Sequence, residues 1–440
     1  MSSNRLAITN IESKQDSIPS EVKETKQLPD LPTVLEAMIL EYANGENFLS
    51  ANYSPRTVGP TFFEKRLPVM TLLQHAAYAE YKEVDAMLTK NPLLLLEEDT
   101  VTDYSDRTHS KRTVYQLALG AVDRDLFTDK GKKVVDGMVE MIEKHFSRLP
   151  DKTADEINQI MQAQYKGQFP EGWEAEEKKR VQKDSAALHA AMNVIKKASD
   201  DNCKKTSALE DNIHIILHEK EDKEGKKESL RAIELKRIVQ PIMKARDEKE
   251  FEAAFNELKN YVNRKGLIKN DFNFAVLKAI YQFRNYLEPK GVMTSGTHFN
   301  HQLLAEGATQ YGEHFVNFGN RWNSPKNLLC FQKVFGYIER FVPACDAELI
   351  AQGLWEIFKA GNPSRRSLAF LLSECQYFPL ASDPAWEIGY NCAYMPAWRG
   401  DGAEPECFVS LFSQNLYQAK TAALQNLCNV QTTNQKRAVV

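Results

Sequence analysis

One stretch in the first third of the chain decides the fold: TLLQHAA at Thr71–Ala77, followed by Glu83-Val84 and Met87-Leu88. Two alanines end the stretch, where small side chains let helices approach closely. Val84, Met87 and Leu88 recur at the i, i+3, i+4 spacing of an apolar helix face. The pattern predicts two helices joined by a tight turn, with Thr71 as the N-cap of the first helix because its hydroxyl can accept from a free amide.

This helix–turn–helix resembles an ankyrin repeat, whose first helix opens with Thr-Pro-Leu-His-x-Ala-Ala. Leu72 and Gln74 depart from the proline and histidine of that consensus, and Ala79 stands where a turn glycine is usual. A second, weaker copy, TVYQLAL, begins at Thr113. It starts later than the ankyrin period of about 33 residues would place it, so the loop that joins the two copies is enlarged.

The enlarged loop carries the polar run DYSDRT at 103–108. In an ankyrin stack this connection forms the projecting finger that contacts partners. Tyrosine and arginine are residue types that anchor interfaces. The sequence therefore predicts a binding site on this finger, formed by Asp103, Tyr104, Asp106 and Arg107. The alternative is an ordinary surface loop.

Composition narrows the class of protein. The 440 residues carry a net charge of −4 with acidic and basic residues well mixed, so no nucleic-acid partner is expected. No apolar run approaches the ~18 residues of a membrane helix, and the first residues do not resemble a secretory signal. The seven cysteines are scattered without a Cys-x-x-Cys pair, which indicates reduced thiols in a cytosolic protein.

The apolar patterns predict an all-α fold with no sheet beyond short finger hairpins. A short ankyrin-like module would pack with a larger irregular helical domain. The expected segments are a disordered tail at 1–30, the ankyrin-like module at 31–148, a helical connector at 149–255, an aromatic-rich helical domain at 256–428 and a polar tail at 429–440.

The second half contains an internal repeat. LKNY and KG at 258–266 recur as FRNY and KG at 283–291, and each copy is followed by Phe-Asn, at 272–273 and 299–300. Each copy predicts a helix that ends near the glycine, which suits a left-handed helix cap, and a second helix that opens at Phe-Asn.

Two groups of residues could carry chemistry. His214 and His218 lie four residues apart, as zinc ligands on a helix do, but no third ligand is identifiable, so no metal and no cofactor are expected. Cys330 or Cys345 could act as a nucleophile with a histidine base, and His298, His301 and His314 lie in the same half of the chain. The alternative for both cysteines is a buried structural role.

Several later segments extend the resemblance. These are DGMVEMIE at 136–143, QFPEGW at 168–173, LEPKG at 287–291 and KVFGYIERFVPAC at 333–345. In that order, they resemble a family of helical proteins of intracellular bacteria that are delivered to host cells by type IV secretion. The resemblance implies a protein that is cytoplasmic in the bacterium, reaches the host cytosol and acts on a host protein, and it carries over no catalytic residue.

The sequence thus favours a protein–protein interaction module that binds a host protein through its ankyrin-like surface. Two alternatives stay open. One is a thiol-dependent enzyme, a transferase or hydrolase, in the C-terminal half; the other is a structural scaffold with two binding faces.

Overall fold

Helices form most of the part of the chain that the computed structural model describes, as the all-α prediction requires. The described residues are 66–103, 105, 107–170, 173–217, 229–268, 272–288, 291–317, 324–352, 354–358, 361–364 and 414–425. They all belong to the unit Glu64–Val440. The expected tails lie outside the described residues, and so do residues 31–42, for which the spacing of Leu35, Met38, Ile39 and Tyr42 predicts a helix.

The deciding stretch forms two helices, α1 (Leu67–Ala77) and α2 (Tyr81–Lys90), joined by a tight turn. Ala79 in that turn has a φ of 57°, the left-handed conformation for which glycine is usual, as its position in the sequence indicated. The N-cap prediction for Thr71 is wrong. The helix starts one turn earlier, with proline in its first turn, and the Thr71 hydroxyl donates to the Leu67 carbonyl at 2.9 Å.

The enlarged connection after α2 contains a β-hairpin. A short 3₁₀ helix precedes it, and strands β1 (Asp99–Thr102) and β2 (Thr108–Arg112) pair antiparallel. Short finger hairpins were the only sheet structure that the sequence analysis expected. A third strand, Val292–Met293, pairs with β2 in parallel and was not predicted, because a strand of two residues has no readable alternation.

The second copy departs from a simple helix–turn–helix. Helix α3 (Val114–Gly120) begins as expected at Thr113, which forms a capping box with Gln116. A second hairpin, of β3 (Leu126–Phe127) and β4 (Lys133–Val135), then separates α3 from α4 (Met138–Phe146). The spacing of Val134, Met138, Met141 and Ile142 predicts one helix from Lys132 to Phe146, and this prediction is wrong at its start, because Lys133–Val135 form β4 and the helix begins only at Met138.

The middle of the chain consists of long helices. These are α5 (Ala154–Gln168), α6 (Trp173–Lys197), α7 (Asp200–Leu217), α8 (Leu230–Lys244), α9 (Glu248–Arg264) and α10 (Ala275–Leu287). The first copy of the internal repeat has the predicted glycine after one helix and Phe-Asn before the next. Gly266 has a φ of 63° just after α9, and Asn273 accepts a hydrogen bond from the first amide of α10.

The last described elements follow β5 (Val292–Met293). They are α11 (His301–Asn317), α12 (Pro325–Leu329), a π-helical turn (Cys330–Phe335), α13 (Gly336–Glu339), α14 (Ala344–Gln352), α15 (Leu354–Phe358) and α16 (414–425). Within the described ranges, no helix is both long enough and apolar enough to cross a bilayer.

Buried apolar side chains gather into three clusters. One lies among α1–α5 and includes Leu424 of α16. A second joins α7, α8, α9 and α10, so it takes residues from both sides of the expected boundary at 255/256. The largest lies among α6, α10, α11 and the segments from α12 to α15. The domain boundaries themselves stay predictions.

Candidate functional site

Two of the four predicted finger residues lie in the described part of the chain, and both have partners within the protein. The Asp103 carboxylate is buried and accepts from the amides of Ser105 and Arg107 at 2.9 and 3.0 Å. Its other oxygen lies 2.7 Å from His109 Nε2. Burial acts to raise the pKa of Asp103, but the hydrogen bond and charge of His109 and the charge of Arg107 outweigh it, so the pKa lies far below its usual range.

Arg107 points back toward the body of the protein. Its guanidinium donates to the Phe341 carbonyl at 2.6 Å and to Ser105 Oγ at 3.0 Å, and it lies 5.4 Å from the centre of the Phe341 ring. The other two finger residues, Tyr104 and Asp106, lie outside the described residues. The finger binding site stays a prediction, but Asp103 and Arg107 already hold this loop together and anchor it.

The two candidate nucleophiles have different surroundings. Cys330, in the π-helical turn, is buried, and burial together with the neighbouring Cys203 raises the pKa of its thiol well above the usual value. Cys345, near the start of α14, is also buried and lines a small cavity with His298. Of the predicted bases, the structure thus brings His298 toward Cys345. His314 lies on α11, where its side chain is outside the described part.

Next to Cys345 is a buried ionic network. Asp346 lies 2.6 Å from Nζ of Lys420 and 2.6 Å from Nε2 of His301. The same ammonium donates to the Val122 carbonyl at 2.8 Å and lies 3.7 Å from Cys345 Sγ. Burial opposes ionisation of both partners, yet their mutual attraction prevails, so the pKa of Asp346 is lowered and that of Lys420 is raised. The network fastens α16 to α14.

A second polar group shares the cavity beside Cys345. Asp103, His109 and His298 each present a possible ligand atom, and these atoms lie within 4.8 Å of one another. The cavity has a volume of about 10 Å³, roughly the space of one water molecule. A substrate does not fit in that space, so this group can hold a water or an ion.

A far larger cleft lies among α7, α8, α10 and the π-helical turn. Its volume is about 1210 Å³. Apolar side chains of α7 and α8 line part of it, among them Ile213, Val239 and Met243, and the aromatic rings of Tyr281 and Tyr337 line another part. The charged side chains in its lining are Lys236, Lys244, Arg246, Arg284, Lys333, Arg340, Glu210, Asp211 and Glu288.

The lining of the cleft carries an excess of positive charge, because it contains six cationic side chains and three carboxylates. Each carboxylate has a cation from the lining beside it. Arg284 lies 2.6 Å from Glu210, Lys333 lies 3.2 Å from Asp211, and Arg340 lies 3.9 Å from Glu288. The other cations of the lining, Lys236, Lys244 and Arg246, lie on α8 and in the turn after it, and Lys244 and Arg246 are exposed to solvent.

Sequence reasoning missed this cleft. The mixed charges from Glu219 to Arg237 predict a helix that faces solvent. In the described part of that run, α8 buries Ala232 and Leu235 on one side, and Lys236 lines the cleft. His214 also lines the cleft, while His218 lies outside the described residues. The lining comes from helices far apart in the chain, so no local spacing could have indicated it.

Comparisons with models of protein families, with curated proteins and with solved structures found no match to this chain. The arguments for function therefore come from the chain itself.

Proposed function

We propose that this protein is an interaction module that binds an acidic segment of a partner protein in the basic cleft. The observation that carries the proposal is the excess of three positive charges in a cleft of about 1210 Å³. Complementary charge attracts a partner and fixes its register. The proposal keeps the interaction function expected from the sequence and moves the contact surface from the finger to the cleft.

Both the size and the lining favour a protein segment. Pockets for small molecules have volumes of about 300–1,000 Å³, which this cleft exceeds. The lining offers Ile213, Val239 and Met243, which suit apolar side chains, and an excess of positive charge, which suits carboxylates. Methionine and aromatic rings are also common where a protein receives a partner's side chains. A segment that alternates acidic and apolar residues would use both features of the lining.

A nucleic acid fits less well. The whole chain is acidic, with a net charge of −4, and the three carboxylates in the cleft would lie against a phosphate backbone. Nucleic-acid surfaces are instead basic over a broad face. The resemblance to type IV secreted helical proteins adds that the partner is a host protein met in the host cytosol, and that part of the proposal rests on the resemblance alone.

Binding of a fluorescein-labelled peptide of alternating glutamate and leucine, followed by fluorescence anisotropy, tests the proposal. The double variant Lys244→Glu/Arg246→Glu should weaken binding by at least ~10-fold, since each lost charge contact costs roughly 1 kcal/mol. The matched control is Arg237→Glu/Lys249→Glu, which makes the same charge change at exposed positions outside the cleft lining.

The control pair should bind the peptide nearly as well as the unchanged protein, and a peptide with lysine in place of glutamate should not bind. Equal weakening by both pairs would show a general charge effect and reject the cleft. Tighter binding of a labelled single-stranded DNA than of the peptide, lost in the cleft variant, would replace the protein partner by a nucleic acid.

A second candidate function is the thiol-dependent enzyme, which one observation favours: Cys345 Sγ lies 3.7 Å from the Lys420 ammonium, and His298 lines the same cavity. A nearby cation favours a thiolate. The small cavity argues against a substrate reaching it. Iodoacetamide modification of the native protein, mapped by mass spectrometry, tests whether Cys345 is a reactive thiol or a buried structural one. Fast alkylation of Cys345 at neutral pH supports the enzyme, and protection of Cys345 until unfolding rejects it.

A further inference from the structure

Three side chains that could bind a metal ion come together where the finger hairpin meets the segment after β5. Asp103 lies just after β1, His109 lies in β2, and His298 lies five residues after β5. The parallel pairing of His109 with Met293 brings these distant parts of the chain side by side. The His298 amide donates to the Gly120 carbonyl at 2.7 Å, which fixes the backbone that carries the third side chain.

The three side chains form a closely spaced donor set. His109 Nε2 lies 2.7 Å from Asp103 Oδ2, and the rings of His109 and His298 are 4.0 Å apart between centres. Two ligands at about 2.0–2.2 Å from a zinc ion stand about 3.4 Å apart in tetrahedral geometry. The distance between the Asp103 and His109 ligand atoms would have to increase slightly from 2.7 Å. The His298 ligand atom, which lies within 4.8 Å of the other two, would have to move closer. Small side-chain rotations would be enough for both changes.

An unsatisfied buried atom points independently to a ligand. The His298 side chain is about nine-tenths buried, at 6% exposure, and its Nε2 has no hydrogen-bond partner. A buried polar atom without a partner costs roughly 1–3 kcal/mol, so a fold seldom keeps one without a use. The imidazole lines the same cavity as Asp103 and His109, and the cavity of about 10 Å³ has room for one ion or water.

From this arrangement we infer that Asp103, His109 and His298 bind one zinc-class divalent ion. Two imidazoles and a carboxylate form a donor set that suits zinc and its transition-metal neighbours and is unfavourable for calcium or magnesium, which take oxygen ligands. The ion would join the finger hairpin to the second half of the chain. The site differs from the His214/His218 pair considered from the sequence, and it goes beyond the proposed binding function.

Zinc retention by the full chain tests the inference. Protein treated with a chelator, loaded with zinc chloride and desalted should retain one equivalent of zinc by elemental analysis. His298→Gln and His109→Gln should each weaken zinc binding by at least about 10- to 100-fold, the loss seen even for outer partners of metal ligands. His189→Gln is the matched control, because it removes a half-exposed imidazole elsewhere, with 45% of its side chain accessible.

Retention by the unchanged protein and by His189→Gln, together with loss in either ligand variant, supports the site. If the unchanged protein retains no zinc after loading, the inference is wrong whatever the variants show. If His298→Gln and His109→Gln fold, as judged by circular dichroism, and retain as much zinc as the unchanged protein, the zinc is bound elsewhere and the inference is wrong. Should both variants fail to fold, a zinc-dependent rise in the melting temperature of the unchanged protein, absent with magnesium, supports the inference, and equal melting temperatures reject it.

Discussion

The ammonium of Lys420 lies 2.6 Å from the carboxylate of Asp346, and the two side chains are only 2% and 0% exposed. A buried ion pair contributes little net stability when whole, but removal of one partner leaves the other charge without compensation. This contact is one of those that hold α16 to the rest of the fold.

Removal of the lysine charge should be costly, and removal of both charges much less so. We expect Lys420→Met to lower the free energy of unfolding by about 3–5 kcal/mol, because the buried carboxylate of Asp346 then loses its ammonium partner and keeps only the His301 imidazole. The double variant Lys420→Met/Asp346→Leu should recover at least half of that loss. Urea denaturation of the four proteins of this double-mutant cycle measures the coupling, and strictly additive losses would contradict the pairing.

The same pair predicts a pH dependence. The pKa of Asp346 is lowered in the folded state, so its contribution is present above the unfolded value of 3.8 and is lost as the pH falls through the lower folded value. The pKa of Lys420 is raised, so its contribution is complete below 10.5. The stability difference between the unchanged protein and Asp346→Asn should therefore shrink as the pH falls below about pH 4. A difference that stays constant down to pH 2 would show that Asp346 is not ionised in the fold.

Arg107 should matter to stability, in contrast to an exposed finger residue. Arg107→Ala removes donors to Ser105 and to the Phe341 carbonyl, and lost hydrogen bonds of a charged group cost about 1.5–3 kcal/mol. The exposed Arg237→Ala should change stability by no more than ~0.5 kcal/mol. The urea midpoints of the two variants measure these losses. Equal midpoints would show that Arg107 does not anchor the loop to the rest of the protein.

Gly120 should not tolerate a side chain. An added Cβ would lie 2.2 Å from His298 Nε2 and 2.7 Å from Gln168 Nε2. At most helix positions glycine to alanine stabilises by up to about 1 kcal/mol, but crowding in a packed site costs typically about 1–3 kcal/mol. We therefore expect Gly120→Ala to lower the melting temperature. A raised melting temperature would show that His298 is not held against this helix end.

Thiol reactivity should separate the cysteines into two groups. Cys203, Cys330 and Cys345 are buried and are not in disulfide bonds, and burial raises the pKa of Cys203 to about 11. Of the seven cysteines, at most four should therefore react quickly with a thiol reagent in the native protein at pH 8. All seven should react after unfolding without reductant. Fewer than seven would reveal a disulfide.

Local patterns in the sequence predicted local structure well. The helix pair around Ala79 and the helices that begin near Thr113 and Asn273 were predicted from residue types within a few positions. The start of α1 was misplaced because a threonine inside a helix and a threonine at its N-cap look alike in sequence.

The candidate site was beyond the reach of spacing arguments. Its histidines, His109 and His298, meet through a parallel strand pair of two residues, and the basic cleft gathers side chains from four separate segments. Tertiary packing alone sets these neighbours. The prediction that Asp103 and Arg107 belong to an exposed finger relied on the ankyrin pattern, which says nothing of what the loop folds against.

The contact between Arg107 and Phe341 has a consequence for the order of events during protein synthesis. The two residues are 234 positions apart, so the hairpin leaves the ribosome long before its anchor exists. At about 5–20 residues per second, the interval is roughly 10 to 50 seconds. Until Phe341 has been synthesised, Arg107 lacks its carbonyl acceptor. Until His298 has been synthesised, His109 lacks the imidazole that packs against it. The hairpin surface that these residues later cover is therefore exposed during synthesis.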